Sequence, residues 1–181
     1  MRERLIRDEP VRAVSRTCAE LGPWNVVALA EPFTGQHAAA IAQLFESVIA
    51  ATGIVMTGPR AARMTGPVVV AVEEIDRLPP MLRAAERLAA VSRAEIRLLI
   101  VHDDQRELEW MEDQARLVLS EFQRVRLEPS RPVRGSGEIA ERLRRIGGGF
   151  LIAQFGRLVV PAAGDLKPLS SALECPMLLV R

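Results

Sequence analysis

The stretch GPVVVAVEE, residues 66–74, decides the fold. Its centre, Val68–Val72 (VVVAV), is apolar at every position and β-branched at all but one. A strand with no polar alternate must be covered on both faces, which is the situation of a central strand in a parallel sheet flanked by helices. The acidic pair Glu73 and Glu74 ends the run and leads into a turn.

Toward the C-terminus, Leu78, Met81, Leu82, Ala85, Leu88 and Ala89 recur at helical spacing, and Pro79 and Pro80 are tolerable only near a helix start. Residues 96–101 (IRLLIV) give a second strand, and Leu108, Met111, Ala115, Val118 and Phe122 mark one face of a second helix. A third strand falls within residues 124–134, where Pro129 and Pro132 suit an edge position. Residues 135–137 open a third helix with Ile139, Leu143 and Ile146 as its apolar stripe. The glycine triplet 147–149 stops it, and residues 150–154 (FLIAQ) form a fourth strand. Asp165 is a candidate cap for a short last helix turning Leu166, Leu169 and Leu173 inward, before residues 177–180 (MLLV) close as a fifth strand. Five strands alternating with four helices predict an α/β fold with a doubly wound parallel five-stranded sheet, because right-handed crossovers leave few other arrangements.

Residues 10–58 repeat the second half of this pattern. Val14, Cys18 and Leu21 are spaced like Ile139, Leu143 and Ile146, and Gly22 and Pro23 stop that helix as the glycine triplet stops its counterpart. Residues 25–29 (NVVAL) stand where FLIAQ stands. Thr34 then caps a stripe of Ile41, Leu44, Phe45 and Val48, and Gly53–Met56 (GIVM) corresponds to residues 176–179 (PMLL). A further strand is expected near residues 4–7. Nothing here matches VVVAV or IRLLIV, so residues 1–65 read as a partial, C-terminal half unit and residues 66–181 as a complete one. A half unit exposes a strand flank, which calls for packing on the complete unit or on a second chain.

Composition narrows the partners. The 181 residues carry 24 Lys and Arg against 23 Asp and Glu, a net charge of +1 that offers no global field to nucleic acid or to an anionic membrane. Tyrosine is absent and aromatics are 4%, so stacking platforms for bases are scarce. No stretch approaches a membrane span and MRERLIRDEP lacks the apolar core of a signal peptide, so a cytoplasmic protein is expected. Two cysteines, Cys18 and Cys175, make no disulfide framework and read as small buried hydrophobes.

GPVVVAVEE, then AEIRLLIVHDD at residues 94–104, then LSSALECPMLLVR at residues 169–181, together resemble the universal stress protein family in order and spacing. DEPVRAV at residues 8–14 resembles the family's turn into its third helix, which supports a tandem, partial second copy. The resemblance implies an adenine nucleotide alpha hydrolase-like strand order of 3-2-1-4-5, with dimerisation or tandem pairing through the fifth strands.

Ligands of open α/β sheets bind beyond the carboxyl ends of the strands where the order reverses, here between strands one and four. The candidate binding residues are Glu73, Val101, His102, Gln154, Gly156 and Arg157, with Glu74 beside them. The ATP-binding branch that the resemblance points to carries an acid after strand one, a place Glu73 fills, and a loop G-x-x-G followed by G-S or G-T after strand four. The loop here departs from it: Gln154 and Arg157 replace the two glycines, and Ala163 and Gly164 stand nearest the final pair. Two adjacent carboxylates also oppose a triphosphate unless a cation or Arg157 compensates. No cofactor is therefore expected, the alternative being ATP or another adenine nucleotide.

His102 with Asp103 and Asp104 reads as a solvated loop rather than a metal or acid-base cluster, and His37 lies in the half unit where no complete pocket forms. Ser170 and Ser171 have no base placed for them. No catalytic or metal residue is nominated, and an enzyme is not expected. The expected protein is a stress-response regulator, a homodimer or higher oligomer acting through protein contacts; the alternative is a nucleotide or small-ligand sensor using a modified crevice.

Overall fold

The structure, a computed structural model, describes residues 16, 26–29, 42, 45–46, 53–56, 66–163, 169 and 175–180. In chain order the strands are β1 (Val26–Leu29), β2 (Gly53–Met56) and β3 (Val68–Val72), then, after helix α1 (Leu78–Ser92), β4 (Ile96–Ile100). Helix α2 (Gln105–Leu119), β5 (Val125–Leu127), helix α3 (Ser136–Ile146), β6 (Phe150–Gln154) and β7 (Met177–Val180) complete the series.

All five residues of β3 are buried, and they divide alternately between two cores. Val68, Val70 and Val72 join Ile96, Leu98 and Ile100 of β4 and Phe150 and Ile152 of β6 on one face. Leu78, Met81, Leu82 and Ala85 of α1 and Leu108, Met111 and Ala115 of α2 cover that face. On the other face Val69, Ala71, Leu99, Leu151, Ala153 and Leu179 pack under Ile139 and Leu143 of α3, with Val159, Val160 and Leu169. An apolar run with no alternation thus builds a three-layer α/β domain, each Val of β3 contributing roughly 1.5–3 kcal/mol by leaving water.

Strand pairing gives the order β1-β2-β7-β6-β3-β4-β5. Its right-hand part, β7-β6-β3-β4-β5, is parallel throughout and, numbered within the complete unit, is the expected 3-2-1-4-5. Right-handed crossovers from β3 to β4 to β5 put α1 and α2 on one face, and reversal of direction puts α3 on the other. Each strand lies within its expected stretch, though β4 stops at Ile100 and β5 is only three residues long at the edge.

Beyond β7 the sheet continues in the opposite sense. Met56 faces Met177 and Gly53 faces Val180 in an antiparallel β2·β7 ladder, and β1 pairs parallel with β2. The N-terminal strands therefore extend the five-stranded parallel part of the sheet through β7. The expected strand near residues 4–7, Cys18, His37, and the Asp165, Leu166 and Leu173 part of the last helix lie outside the described residues; Leu169 is helical and buried.

Candidate functional site

At the carboxyl ends of β3 and β6 the chain leaves the sheet on both sides of the switch in strand order. β3 ends in Glu73 and Glu74, and β6 ends in Gln154, after which the chain turns back at once. Gly156, at φ +81, takes the left-handed conformation that a side chain resists, and its N–H donates to the Val160 carbonyl at 2.8 Å. Phe155 and Val160 form an isolated bridge, so residues 156–159 are a tight turn closed on itself.

This turn aims its free backbone donors at β3. The Glu73 carboxylate accepts from Leu158 N–H through Oε2 and from Val159 N–H through Oε1, the latter at 3.1 Å. Across the strand ends, Gln154 Oε1 accepts from Glu73 N–H at 2.9 Å and from Glu74 N–H at 3.0 Å. Gln154 Nε2 donates to Glu74 Oε2 at 3.1 Å, and the Arg157 guanidinium donates to the other Glu74 oxygen. Four side chains and the N–H groups of Leu158 and Val159, at the ends of two strands and a turn, thus form a single closed network.

Its two acids are unequal. Glu73 is buried, and burial pushes its carboxyl up to about 7 against the opposing pull of the Val159 and Leu158 N–H groups and of Arg157. Glu74 is half-buried with a guanidinium on it. Arg157 therefore compensates the outer of the two carboxylates.

Of the six expected residues, the structure brings Glu73, Gln154, Gly156 and Arg157 together. Val101 is buried in the α3-side core, one residue past β4. His102 is held in a separate turn, where its Nδ1 accepts from Asp104 N–H at 3.0 Å and its carbonyl accepts from Val133 N–H at 3.0 Å. Asp104 caps α2 by accepting from Arg106 and Glu107 N–H, and the Glu107 contact holds its carboxyl below the usual range. Among the described residues no group of three or more His, Cys, Asp or Glu is placed to hold a metal. Cys175 is buried, and burial raises its thiol to about 11, as suits an unreactive core residue. Leu158 and Val159 were invisible to sequence reasoning because they enter through their N–H groups; the one available signal was Gly156, which permits the turn.

The parallel part of the sheet has the order 3-2-1-4-5 with its switch point between β3 and β6, a doubly wound α/β fold. The comparisons agree at the level of fold. The structure superposes on a universal stress protein from Archaeoglobus fulgidus with a TM-score of 0.64 at 11% identity, covering 96% of this chain and 65% of that one. A protein of unknown function from Pseudomonas aeruginosa gives 0.61 at 12%, covering 97% and 68%. The cytoplasmic domain of a prokaryotic cation chloride cotransporter gives 0.62 at 10%, covering 94% and 68%. This chain spans about two thirds of the length of each of these structures. No protein-family model matches the sequence, and no curated protein matches it.

Proposed function

We propose that this chain is a non-enzymatic, stress-response type regulator that works through protein contacts, with its inherited ligand crevice closed from within. The observation that carries this reading is the Glu73 carboxylate on the Leu158 and Val159 N–H groups. A phosphate-binding turn after the fourth strand needs free N–H groups aimed at the ligand. Here those of Gly156, Leu158 and Val159 are already engaged, and those of Glu73 and Glu74 are taken by Gln154. ATP fits this donor set poorly: a buried acid faces the turn and the nearby guanidinium is committed to Glu74. Isothermal calorimetry of the full chain with ATP, together with analysis of the purified protein for retained nucleotide, tests the reading. No saturable binding in the crevice is expected; micromolar binding that disappears on Arg157→Glu but not on Arg124→Gly would overturn it.

The same reading treats residues 1–65 as a partial second copy. In support, β1 and β2 stand to β7 as strands four and five of a second unit would, antiparallel across the fifth strands. The edge that pairs fifth strands is then used inside one chain. Homodimerisation is assigned instead to the outer edge of β1, which has no neighbouring strand among the described residues, whereas β5 is short and followed by prolines. Sedimentation equilibrium is expected to give a dimer, and a monomer at about 100 μM, a concentration that would fill all but weak dimers, would remove this part of the proposal.

A further inference from the structure

The end of the sheet opposite the crevice carries a feature that the regulator reading does not use. Two turns meet there, one leading from α1 into β4 and the other entering β5, joined by a hydrogen bond from Ile96 N–H to the Arg124 carbonyl at 3.4 Å. Between them lies an open surface hollow of about 430 Å³ lined by Arg93, Glu95, Arg124 and Arg126, with Ala94 and Val125. A second hollow of about 240 Å³ shares Ala94 and Arg124 with it. Its walls are the small apolar side chains of Ala89 and Ala90 with Ile96, and Glu86 and Gln123 also border it.

Two independent properties of the arginines stand out. Arg93 (φ 54) and Arg124 (φ 65) are the two non-glycine residues with left-handed backbone among the described residues. Arg93 ends α1 in the left-handed cap conformation with its N–H on the Ala89 carbonyl; glycine or asparagine is the relaxed choice at both positions, so an arginine at either costs about 1–2 kcal/mol. Yet neither guanidinium makes a hydrogen bond or ion pair with any described residue. Of the acids nearby, Glu95 and Glu128 are matched, Arg97 holding Glu95 through Nε at 2.6 Å and reaching Glu128 at 3.4 Å, with Arg126 4.0 Å from Glu128, while Glu86 stands at the rim of the second hollow. Arg93 and Arg124 are thus an exposed surplus of positive charge, carried on two neighbouring turns beside a hollow of small-molecule size.

We propose that this surface hollow binds a small organic anion, its phosphate or carboxylate head between Arg93 and Arg124 and its apolar body against Ala89, Ala90 and Ala94. Planar guanidinium groups suit either head, because each offers paired N–H donors to two oxygens. The alanine shelf leaves room for a ring or short aliphatic chain. This site is separate from the crevice at the carboxyl ends of β3 and β6 and does not depend on how that crevice is read.

Calorimetric titration of the full chain with phenyl phosphate and with phenylacetate at low salt tests the proposal, the tighter of the two identifying the head group. Arg93→Gly and Arg124→Gly are the informative variants, since glycine relaxes both backbones and the folded state should be as stable as before or more so. Each is expected to weaken binding at least about tenfold, the loss of one charge-assisted contact. No heat with either probe at millimolar concentration, or unchanged affinity in both variants, overturns the site. So does binding that Arg157→Gln abolishes while both glycine variants retain it, because the anion would then occupy the crevice.

Discussion

Gln154 Oε1 sits 2.9 Å from Glu73 N and 3.0 Å from Glu74 N, so one side-chain amide from β6 terminates the backbone of β3. These two N–H groups lie just past the last rung of the β3·β4 ladder, and Gln154 is 1% exposed. Water is a poor substitute in that position. Gln154→Ala should therefore strand two donors and cost about 2–4 kcal/mol, the penalty for two unsatisfied buried groups. Urea unfolding measures it, and a loss below about 1 kcal/mol would mean that water enters and the end of β3 is open.

Glu73 makes stability depend on pH in an unusual direction. Its carboxyl is raised from 4.5 to about 7 in the folded protein, so between these values the folded state holds a proton that the unfolded chain releases. The associated stabilisation is fully present below about pH 4.5 and is lost as pH rises through about 7, up to roughly 3 kcal/mol. Glu73→Gln keeps an acceptor for one turn N–H but cannot ionise. The stability difference between the native chain and Glu73→Gln should shift toward the variant between about pH 5 and about pH 8. A difference that stays constant across that range would place the Glu73 titration near its ordinary value.

The sheet was legible in the sequence and the network was not, for one physical reason. Burial on both faces writes itself as a run such as VVVAV, and helix stripes such as Leu78, Met81, Leu82 and Ala85 announce their period, so strand order followed from connection rules. The crevice is built from groups that leave no such trace. Gln154 in the sequence is a missing glycine; in the structure its amide holds the ends of two strands together. Leu158 and Val159 contribute backbone donors to an acid 85 and 86 positions away, and apolar side chains conceal that role. His102 and Asp104, two positions apart in the sequence, serve the turn into α2, Asp104 capping the helix and His102 Nδ1 accepting from Asp104 N–H.

Gly66 and Gly147 separate two reasons for glycine. A Cβ on Gly66, at φ +127, would lie 2.5 Å from the Gly147 carbonyl oxygen and 3.0 Å from Gly149 N, both backbone atoms that cannot turn aside. On Gly147, at φ +68, it would meet nothing within 4 Å. Gly147→Ala should cost only the left-handed backbone, about 1–2 kcal/mol. Gly66→Ala should cost more, because the entry to β3 must move away from the loop before β6, where Gly149 N–H donates to the Pro67 carbonyl at 2.8 Å. Thermal denaturation of the two variants checks the order, and equal losses would show that the approach at Gly66 relaxes freely.

Phe45 tests whether the N-terminal region folds with the rest. Its ring stacks on Phe155 with centroids 4.9 Å apart and an interplanar angle of 25°, and at 5% exposure it belongs to the α3-side core with Leu151, Val160 and Leu179. Phe155 follows Gln154 directly, so this contact ties the N-terminal segment to the turn that closes the crevice. Phe45→Ala should cost about 3–5 kcal/mol, as deletion of a packed ring does. The β2·β7 ladder would still hold that segment, but more weakly anchored it should be cut faster by limited proteolysis while residues 66–163 stay resistant. If Phe45→Ala leaves both stability and cleavage unchanged, the segment does not share the core.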